Sequence, residues 1–222
     1  MQRLFALLIG TMILGAQAPS DASFYAVSYL EIMPTGKAAA VSAFKQYRDI
    51  SRKEDGFVRF EFQEQVGRPG HLALIETWSS PKAFDAHAMA AHTKEWRSKF
   101  DAIRVSDYDL RPYKTLSLGS SPAGTNDRAI YVLTHVDIGG QGTNAAELLK
   151  RLSDASRKEE GAIRFDVLQH AMRANHFTVI ESWQNQKALD AHAAAAHTRQ
   201  YRDGLGPIAG SPLDERLYKA IE

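Results

Sequence analysis

The hydrophobic and polar positions of residues 24–116 change period several times, and each change predicts a secondary-structure element. The stretch from Phe24 to Ile32 is rich in aromatic and β-branched residues and ends at a Pro-Thr-Gly turn, which predicts a strand. Apolar residues then recur every three or four positions from Ala40 to Ile50, which predicts an amphipathic helix. We expect this helix to close on Gly56 as a left-handed cap.

After Gly56 the period falls to two, because apolar residues alternate with polar ones from Val58 to Gln63. A turn at residues 67–70 leads to a second strand from His71 to Trp78, so the two strands are predicted to form a hairpin. An alanine-rich stretch from about Pro81 to Phe100 predicts one continuous helix, and a last strand ends at Tyr113-Lys114. This β-α-β-β-α-β order is the split βαβ pattern, a four-stranded antiparallel sheet with two helices on one face.

The whole pattern returns 105 residues later in the chain. The run Ser51-Arg-Lys-Glu-Asp-Gly56 is matched by Ser156-Arg-Lys-Glu-Glu-Gly161, and 29 of the 66 pairs between residues 51–116 and 156–221 are identical. A period of this length indicates two copies of one small domain. Because each sheet has one face without helices, we expect the copies to pack sheet against sheet as a barrel-like core.

Domain boundaries follow from the repeat and from composition. We predict a first domain at residues 23–117, a Gly, Ser and Pro-rich linker at 118–127, and a second domain at 128–222. The corresponding elements of the second domain are a strand from Ile130 to Ile138, a helix before Gly161, a hairpin, and a helix from about Gln186 to Leu205.

Composition excludes several classes of function. The chain has 222 residues, no cysteine and a net charge of +1, so disulfides, thiolate metal sites and cysteine nucleophiles are excluded. No basic run is interleaved with aromatic residues, so nucleic acid is not an expected partner. The sequence also lacks a glycine-rich phosphate loop and a Gly-x-Ser-x-Gly elbow.

The first 22 residues form a predicted signal peptide. A basic start at Arg3 is followed by an apolar run from Leu4 to Leu14 and by small residues, and we predict cleavage after Ala22. The apolar run is shorter than the roughly 20 residues that a membrane-spanning helix needs. We therefore expect a periplasmic or secreted protein without a stable membrane anchor after cleavage.

A carboxylate and a tryptophan share one face of the third strand in each copy, as Glu76 with Trp78 and Glu181 with Trp183. Burial among apolar side chains would raise the pKa of such a carboxylate and suit it to acid or base chemistry. A structural carboxylate bonded to a backbone amide or to an arginine such as Arg59 or Arg164 is the alternative. The tryptophans alone indicate core packing as readily as ligand contact.

Histidines recur in the alanine-rich helix of each copy, as His87 with His92 and as His192 with His197. Five residues of a regular helix turn the chain by about 500°, which leaves the two imidazoles roughly 140° apart. They are therefore expected not to share a metal ion unless the helix breaks between them, and we predict no metal site. Packed histidines bonded to backbone are the alternative. His71 and its counterpart, at the start of the third strands, are expected to be exposed.

Three motifs together resemble the antibiotic biosynthesis monooxygenase (ABM) family, including its quinol monooxygenase-like members. They are Gly56-x-x-Arg-Phe-Glu61, Leu74-Ile-Glu-Thr-Trp78, and Ala83-Phe-Asp-Ala-His87 followed by His92. The second copy matches the same motifs again. The resemblance implies an α+β fold in which two ferredoxin-like β-α-β-β-α-β units form a dimeric α/β barrel, here within one chain as a tandem duplication.

For the oxygenase members, the resemblance implies oxidation of a quinol or polyphenolic small molecule by O₂, without metal, flavin or other cofactor. Such chemistry needs a base, a group that holds the substrate anion, and an apolar pocket. The implied catalytic residues are His87, His92, His192 and His197. The implied substrate-binding residues are Arg59, Glu76, Trp78, Arg164, Glu181 and Trp183.

Two other activities within the family compete with this one. A noncatalytic small-molecule-binding or stress-related protein of the same fold is the main alternative. Haem degradation is less favoured, because the places of the iron-ligating histidine hold Arg97 and Arg202. The copies also differ at positions that would shape a pocket: Phe57 and Ala162, Met89 and Ala194, Trp96 and Tyr201.

Overall fold

A computed structural model describes residues 18–119, 128–139 and 144–221 of the chain. Residues 1–17 of the predicted signal peptide and residues 120–127 of the predicted linker lie outside the described residues. Among the described residues, no helix is long and apolar enough to cross a membrane.

Within the described residues, each copy contains four strands and three α-helices. The first copy consists of β1 (Phe24–Glu31), α1 (Lys37–Ser51), β2 (Phe57–Gln65), β3 (His71–Trp78), α2 (Pro81–Met89), α3 (Ala91–Asp101) and β4 (Asp109–Ser117). The second consists of β5 (Ile130–Asp137), α4 (Ala145–Ser156), β6 (Ala162–His170), β7 (His176–Trp183), α5 (Gln186–Ala194), α6 (Ala196–Leu205) and β8 (Asp214–Ala220). Short 3₁₀ turns lie at Pro34–Gly36 and Gly206–Ile208.

The eight strands form one closed antiparallel barrel. The first copy has the strand order β4-β1-β3-β2 and the second has β8-β5-β7-β6. The last strand of each copy also pairs with the second strand of the other, β2 with β8 and β4 with β6, which closes the barrel. The predicted fold, two ferredoxin-like units in an intramolecular α/β barrel, is confirmed.

Alternation along the strands divides the buried side chains into three cores. One core lies between the sheet and helices of each copy, and the third fills the barrel interior. On β2, for example, Phe60 and Phe62 belong to the first helix-side core. The alternate residue Glu61 pairs with Arg164 of the other copy across the barrel interior.

The predicted continuous helix after β3 is wrong in both copies, because each is interrupted by one extended residue. Ala90 has φ −64° and ψ 148°, and Ala195 has φ −66° and ψ 149°. In the first copy the buried Thr93 hydroxyl donates to the His87 carbonyl at 2.7 Å, which supplies a partner to the interrupted helix. The break lets the following helix start in a new direction.

The prediction of Gly56 as the cap of α1 is also wrong. The helix ends at Ser51, and Gly56 lies in the turn before β2. Its φ of +82° is nevertheless left-handed, and an added Cβ would lie 2.6 Å from Cβ of Ala83. The glycine therefore lets this turn pack closely on α2.

Equivalent residues of the two copies meet at each end of the barrel. Tyr29 and His135 occupy the sixth positions of β1 and β5, and the Tyr29 hydroxyl lies 2.7 Å from His135 Nε2. At the other end, Arg164 donates to Glu61 at 2.7 Å and to Asp166 at 2.6 Å. Because equivalent positions meet there, the approximate twofold axis runs along the barrel.

Candidate functional site

The helix break turns both histidines of the first copy toward one carboxylate. Glu54, in the turn after α1, accepts from His87 Nδ1 at 2.7 Å and from His92 Nε2 at 2.9 Å, both at Oε1. The two imidazole centroids are 5.5 Å apart. The separation of about 140° between the imidazoles that a regular helix would give therefore does not apply, because the helix is interrupted at Ala90. We call Glu54, His87 and His92 the first His-Glu-His cluster.

The second copy repeats this geometry. Glu159 Oε1 accepts from His192 Nδ1 at 2.7 Å and from His197 Nε2 at 2.8 Å. Glu159, His192 and His197 form the second His-Glu-His cluster. In both clusters the carboxylate holds the proton of the first histidine on Nδ1, so Nε2 is the atom that points toward β3 or β7.

In the first copy, the phenol of Tyr47 occupies the space beyond His87 Nε2. The Tyr47 oxygen lies 2.5 Å from His87 Nε2, and its hydroxyl donates to Glu76 Oε1 at 2.7 Å. Burial alone would lower the pKa of His87, but the hydrogen bonds and charges of Glu76 and Glu54 outweigh it and raise that pKa. His87 is thus favoured as an imidazolium that donates from both nitrogens.

Aromatic rings enclose the His87 imidazole. The centroid of Trp78 lies 4.3 Å away in a tilted arrangement, and that of Phe60 lies 5.6 Å away nearly edge-on. Tyr47 in turn stacks on Trp96 at 4.8 Å. His87 is only 1% exposed, so protein atoms surround its imidazole.

The second copy has no phenol at the corresponding place, because Leu152 stands where the first copy has Tyr47. Glu181 instead accepts from the Trp183 indole at 2.9 Å, and its Oε2 lies 3.9 Å from His192 Nε2. Burial raises the pKa of Glu181 to about 7, although the indole hydrogen bond opposes that shift. Burial also lowers the pKa of His192, against the effect of Glu159, so His192 is neutral at pH 7.

A buried tyrosine completes the second site. Tyr201 is 7% exposed, and its hydroxyl has no hydrogen-bond partner among the described residues. Burial raises its pKa, and the negative charges of Glu181 and Glu215 raise it further. A buried hydroxyl without a partner costs free energy, so this group is placed to bond a ligand.

The helix-side core of the second copy uses smaller side chains than that of the first. Two positions go the other way, where Phe177 replaces Leu72 and Leu148 replaces Ala43. The larger reductions include Phe44 to Leu149, Tyr47 to Leu152, Phe57 to Ala162, Phe62 to Val167, Trp96 to Tyr201, and Phe100 to Leu205. The predicted differences at Phe57 and Trp96 thus belong to a wider change around the same histidine.

The structure brings together eight of the predicted site residues but not the two arginines. Arg164 lies in the barrel interior with Glu61 and Asp166, and Arg59 acts on Tyr25 in the same interior. Both are on the opposite face of the sheet from the histidines, because residues alternate along β2 and β6. The structure therefore places Arg59 and Arg164 away from the histidines and from Glu76 and Glu181, and a role for either arginine toward a substrate anion stays a prediction.

The expectation for the histidines that open the third strands holds only in the first copy. His71 is partly exposed and lies 3.3 Å from Glu31. His176 is 2% exposed, donates from Nδ1 to Asp137 at 2.7 Å, and lies 3.1 Å from the Tyr113 hydroxyl. The prediction of an exposed His176 is wrong because β7 carries it into the barrel interior.

The sequence analysis did not identify Tyr47, Glu54 or Glu159 as residues of these sites, and it named Tyr201 only as a difference in pocket shape. The two glutamates had a signal, since both occupy the fourth position of the repeated Ser-Arg-Lys-Glu motif. Tyr47 was counted only as part of the apolar stripe of α1. Its hydroxyl gives that stripe a polar tip, which a pattern of apolar positions does not register.

Each cluster has a donor set that a divalent transition metal accepts, two imidazoles and a carboxylate within 4.8 Å of one another. In the structure these atoms are hydrogen-bonded to each other, with one glutamate oxygen serving both histidines. The absence of a metal site stays a prediction, which metal analysis of the purified protein tests.

Solved structures of similar fold cover nearly the whole chain. Two are each described as a "putative monooxygenase": one from Lactobacillus acidophilus has 15% identity and a TM-score of 0.75, covering 90% of this chain and 94% of its own. The other, from Fusobacterium nucleatum, has 14% identity and a TM-score of 0.81, covering 90% and 93%. An "anthrone oxidase-like protein" has 13% identity and a TM-score of 0.71, covering 93% and 94%. At these identities the likeness shows a shared fold.

No curated protein matches the sequence. The model of one protein family does, and it matches twice, at residues 23–99 and 138–204. These two matches fall on the two structural copies, with their helix-side histidines and strand carboxylates. The chain belongs to the antibiotic biosynthesis monooxygenase family, as a tandem duplication of its domain.

Proposed function

We propose that this chain is a cofactor-independent monooxygenase that oxidises a phenolic or quinol small molecule with O₂, and that the second copy carries the reaction. One observation carries the proposal. In the first copy a phenol hydroxyl, that of Tyr47, already lies between an imidazole Nε2 and a strand carboxylate. The second copy has the same imidazole and carboxylate, with a leucine in place of the phenol.

His192 is the base in this proposal. Its Nδ1 proton is held by Glu159, and its lowered pKa keeps it neutral, so Nε2 has a lone pair that can take a proton. His87 is less suited to this role because Glu76 and Glu54 favour its charged form. This difference between the copies supports His192, rather than His87, as the proposed base.

The reaction balances without an external reductant. His192 Nε2 takes the phenolic proton, and the resulting phenolate is electron-rich enough to reduce O₂. One oxygen atom bonds to a ring carbon that carries hydrogen, and the other leaves as water, so a phenol and O₂ give a quinone and H₂O. The substrate supplies all four electrons, and the proton on His192 is returned to the departing oxygen.

The remaining side chains hold the substrate and exclude water. Trp183 stacks against His192 at 4.6 Å, and Phe165 lies 5.6 Å from the same ring. Glu181, with a pKa of about 7, is partly protonated at neutral pH and can donate to a phenolate oxygen. The hydroxyl of Tyr201 is a second donor on that side.

Oxygen uptake tests this proposal. Purified protein is supplied with a panel of phenols, quinols and anthrones, and O₂ consumption is measured together with quinone formation and ¹⁸O incorporation from ¹⁸O₂. We expect one oxygen atom per product. We expect His192→Gln to lower the rate about 100-fold or more, as for loss of a general base. The matched His87→Gln variant is compared in the same assay.

Two results would contradict the proposal. The first is an absence of O₂ uptake across the panel, with phenols that bind saturably, which would favour a noncatalytic binding protein of the same fold. The second is an equal loss of rate in the His87 and His192 variants, which would remove the assignment to the second copy.

We also propose that the protein is exported, on the basis of the leader pattern in residues 1–22. Expression of the full chain with a C-terminal tag, followed by cell fractionation and N-terminal sequencing, tests this. A mature N-terminus at Ser23 in the periplasm or medium is expected, and a full-length protein in the cytosol would contradict it.

A further inference from the structure

A second concave site lies at the Tyr29–His135 end of the barrel, on the opposite side of the sheet from the His-Glu-His clusters. The cavity has a volume of about 480 Å³, within the range of small-molecule sites. Side chains from both copies line it, among them Asp109, Arg111, His135, His170, Arg173 and His176. The proposed oxygenase chemistry uses none of them.

Three arginines lie near this cavity, and two of them, Arg111 and Arg173, line it. The guanidinium carbons of Arg111 and Arg216 lie 5.0 and 5.1 Å from the centroid of the Tyr29 ring. Each guanidinium donates from Nε and Nη2 to an aspartate of its own strand. Arg111 donates to Asp109, and Arg216 donates to Asp214. A guanidinium has five N–H donors, and the two Nη1 donors of each arginine are not bonded to these aspartates.

The third arginine comes from the turn between β6 and β7. Arg173 donates from Nη2 to Asp137 at 3.1 Å, and its side chain is 56% exposed, so it can reorient at the mouth of the cavity. Asp137 also accepts from His176. The three carboxylates at this mouth therefore already have donors, and they balance the formal charge of the arginines without using all of their N–H groups.

Two buried histidines form the floor of the cavity. His135 is 4% exposed and His176 is 2% exposed, and their rings stack at 5.5 Å. Burial lowers the pKa of His135 to about 3, and the positive charges of Arg111 and Arg216 lower it further. Burial, then Arg173 and Arg111, also lower the pKa of His176, although Asp137 opposes this. The histidines of the floor are thus neutral.

A third histidine presents a donor to the cavity. The backbone N–H of Met172 donates to His170 Nδ1 at 3.1 Å, so the neutral ring has its proton on Nε2. The ring of His170 lies 5.6 Å from that of His176 and 5.3 Å from that of Tyr113. Its Nε2–H adds to the donors of the arginines.

These features are specific to the second copy. The first copy has Gln65 where the second has His170, and it has Tyr29 where the second has His135. Arg68 occupies the turn position of Arg173. The duplication therefore provides matched internal controls for Arg173 and His170.

We propose that this barrel-mouth cavity binds a small oxyanion, a molecule with a carboxylate or phosphate group, through Arg111, Arg173 and the Nε2–H of His170. Arginine forks match the paired oxygens of both groups. His135 and His176 are neutral and are hydrogen-bonded within the protein. Binding of an oxyanion therefore does not require a charged histidine to lose its hydration.

Calorimetric titration with inorganic phosphate and, separately, with malonate tests the site on the full chain at low ionic strength. We expect saturable binding of at least one probe with a Kd below about 1 mM. Arg173→Gln is expected to weaken that binding about tenfold, as for the loss of a charged hydrogen bond. His170→Gln, which installs the residue of the first copy, is expected to weaken it by a smaller factor. The matched variant Arg68→Gln is expected to bind like the unchanged protein.

Several outcomes overturn the proposal. They are a lack of binding by the unchanged protein with both probes, unchanged affinity in Arg173→Gln, or an equal loss in Arg68→Gln, which would indicate general surface charge. Arg173 and His170 lie at the mouth, so both variants are expected to keep their circular dichroism and thermal transition. The relative affinities for phosphate and malonate identify the kind of oxyanion.

Discussion

The leucine at position 152 and the tyrosine at the equivalent position 47 give the two copies different chemistry around the same histidine. In the first copy the phenol bridges His87 and Glu76. In the second, His192 and Glu181 are 3.9 Å apart and have no phenol between them. One side chain thus decides whether a phenol lies between the imidazole and the strand carboxylate.

Replacing Leu152 with tyrosine should convert the second site into a copy of the first. We expect Leu152→Tyr to lower O₂ turnover about 100-fold, because its ring would occupy the place of a substrate phenol next to the base. The NMR titration of His192 should also move to higher pH, as a phenol hydrogen bond and an ionised Glu181 stabilise the imidazolium.

Leu152→Phe is the matched control for this change. It adds the ring without the hydroxyl, so we expect it to lower turnover but to leave the titration of His192 near its original pH. A Leu152→Tyr protein with full turnover and a normal near-ultraviolet dichroism spectrum would contradict the assignment of this space to a substrate.

Glu181 should make stability fall as pH rises. Burial raises the pKa of this carboxyl from 4.5 to about 7, so the folded state binds its proton more tightly than the unfolded state does. The protonated form is therefore favoured by folding, and this contribution is complete below pH 4.5 and is lost as the pH rises through 7. The shift corresponds to about 3 kcal/mol at most.

A neutral glutamine at this position removes that pH dependence. We expect Glu181→Gln to raise the free energy of unfolding by up to about 3 kcal/mol at pH 8 and by much less at pH 5, measured by urea denaturation. The matched variant is Glu76→Gln, whose carboxylate accepts the Tyr47 hydroxyl. An equal gain in both variants, or a gain that does not depend on pH, would contradict the expectation.

At this scale the sequence predicted the histidines, the strand carboxylates and the tryptophans of the sites, because the duplication repeats them. It did not predict Glu54 or Glu159 as their partners, since that contact forms only once the helix breaks. The two arginines came from the family resemblance alone, whereas strand alternation next to Phe60 and Phe165 places them on the other face of the sheet.

Among the secondary-structure elements, the interrupted helices α2–α3 and α5–α6 are decisive for the sites. A regular helix would direct the two histidines of each copy apart. The alanine-rich sequence has no glycine or proline at Ala90 or Ala195, so local propensity favours a continuous helix. Tertiary hydrogen bonds override that propensity, which explains why the break could not be predicted from the pattern.

Thr93 should contribute to the break more than its counterpart Thr198. The Thr93 hydroxyl donates to the His87 carbonyl at 2.7 Å in a buried position. Thr198 Oγ1 has a longer contact, 3.5 Å to His192 Nδ1. We expect Thr93→Val to lower the free energy of unfolding by about 1–2 kcal/mol, because the carbonyl loses a buried donor.

Thr198→Val is the control. We expect a smaller loss of unfolding free energy from it, because the Thr198 hydroxyl makes only the 3.5 Å contact. Valine has nearly the shape of threonine, so both variants remove the hydroxyl with little change in packing. Both variants are compared by urea denaturation at the same pH. Equal losses would show that the hydroxyl does not stabilise the break and that helix packing alone determines it.

For the whole molecule, the sequence predicted the architecture well. The spacing of apolar residues occurs in the same order in both copies and predicts the order of strands and helices. It also predicts that each sheet has an uncovered apolar face that must pack against the other sheet. The pattern did not predict that the barrel interior would contain buried charges, as it does at Arg164, Glu61 and Asp166. Strand alternation shows which residues share a face, but the pairing of charges across the barrel depends on how the copies are placed.

Arg164 should be essential for the stability of the two-copy barrel. Its side chain is 3% exposed, and it bonds a carboxylate from each copy. We expect Arg164→Met to lower the free energy of unfolding by about 3–5 kcal/mol, because two buried carboxylates lose their shared cation. Tryptophan fluorescence and far-ultraviolet dichroism during urea unfolding provide the measurement.

Adding Glu61→Gln to that variant should restore part of the loss by removing one of the unpaired carboxylates. A cost below about 1 kcal/mol for Arg164→Met, or no recovery in the double variant, would contradict the role of this ion pair.

The contact of Tyr29 with His135 on the approximate twofold axis has a consequence for how this protein can vary. In an assembly of two identical chains, a residue on the axis always meets itself, and every substitution appears in both halves at once. Fusion of the halves removes that restriction, so unlike partners such as a phenol and an imidazole can face each other at the centre. The same freedom lets one half keep Tyr47 beside its histidine while the other half has a leucine at that position.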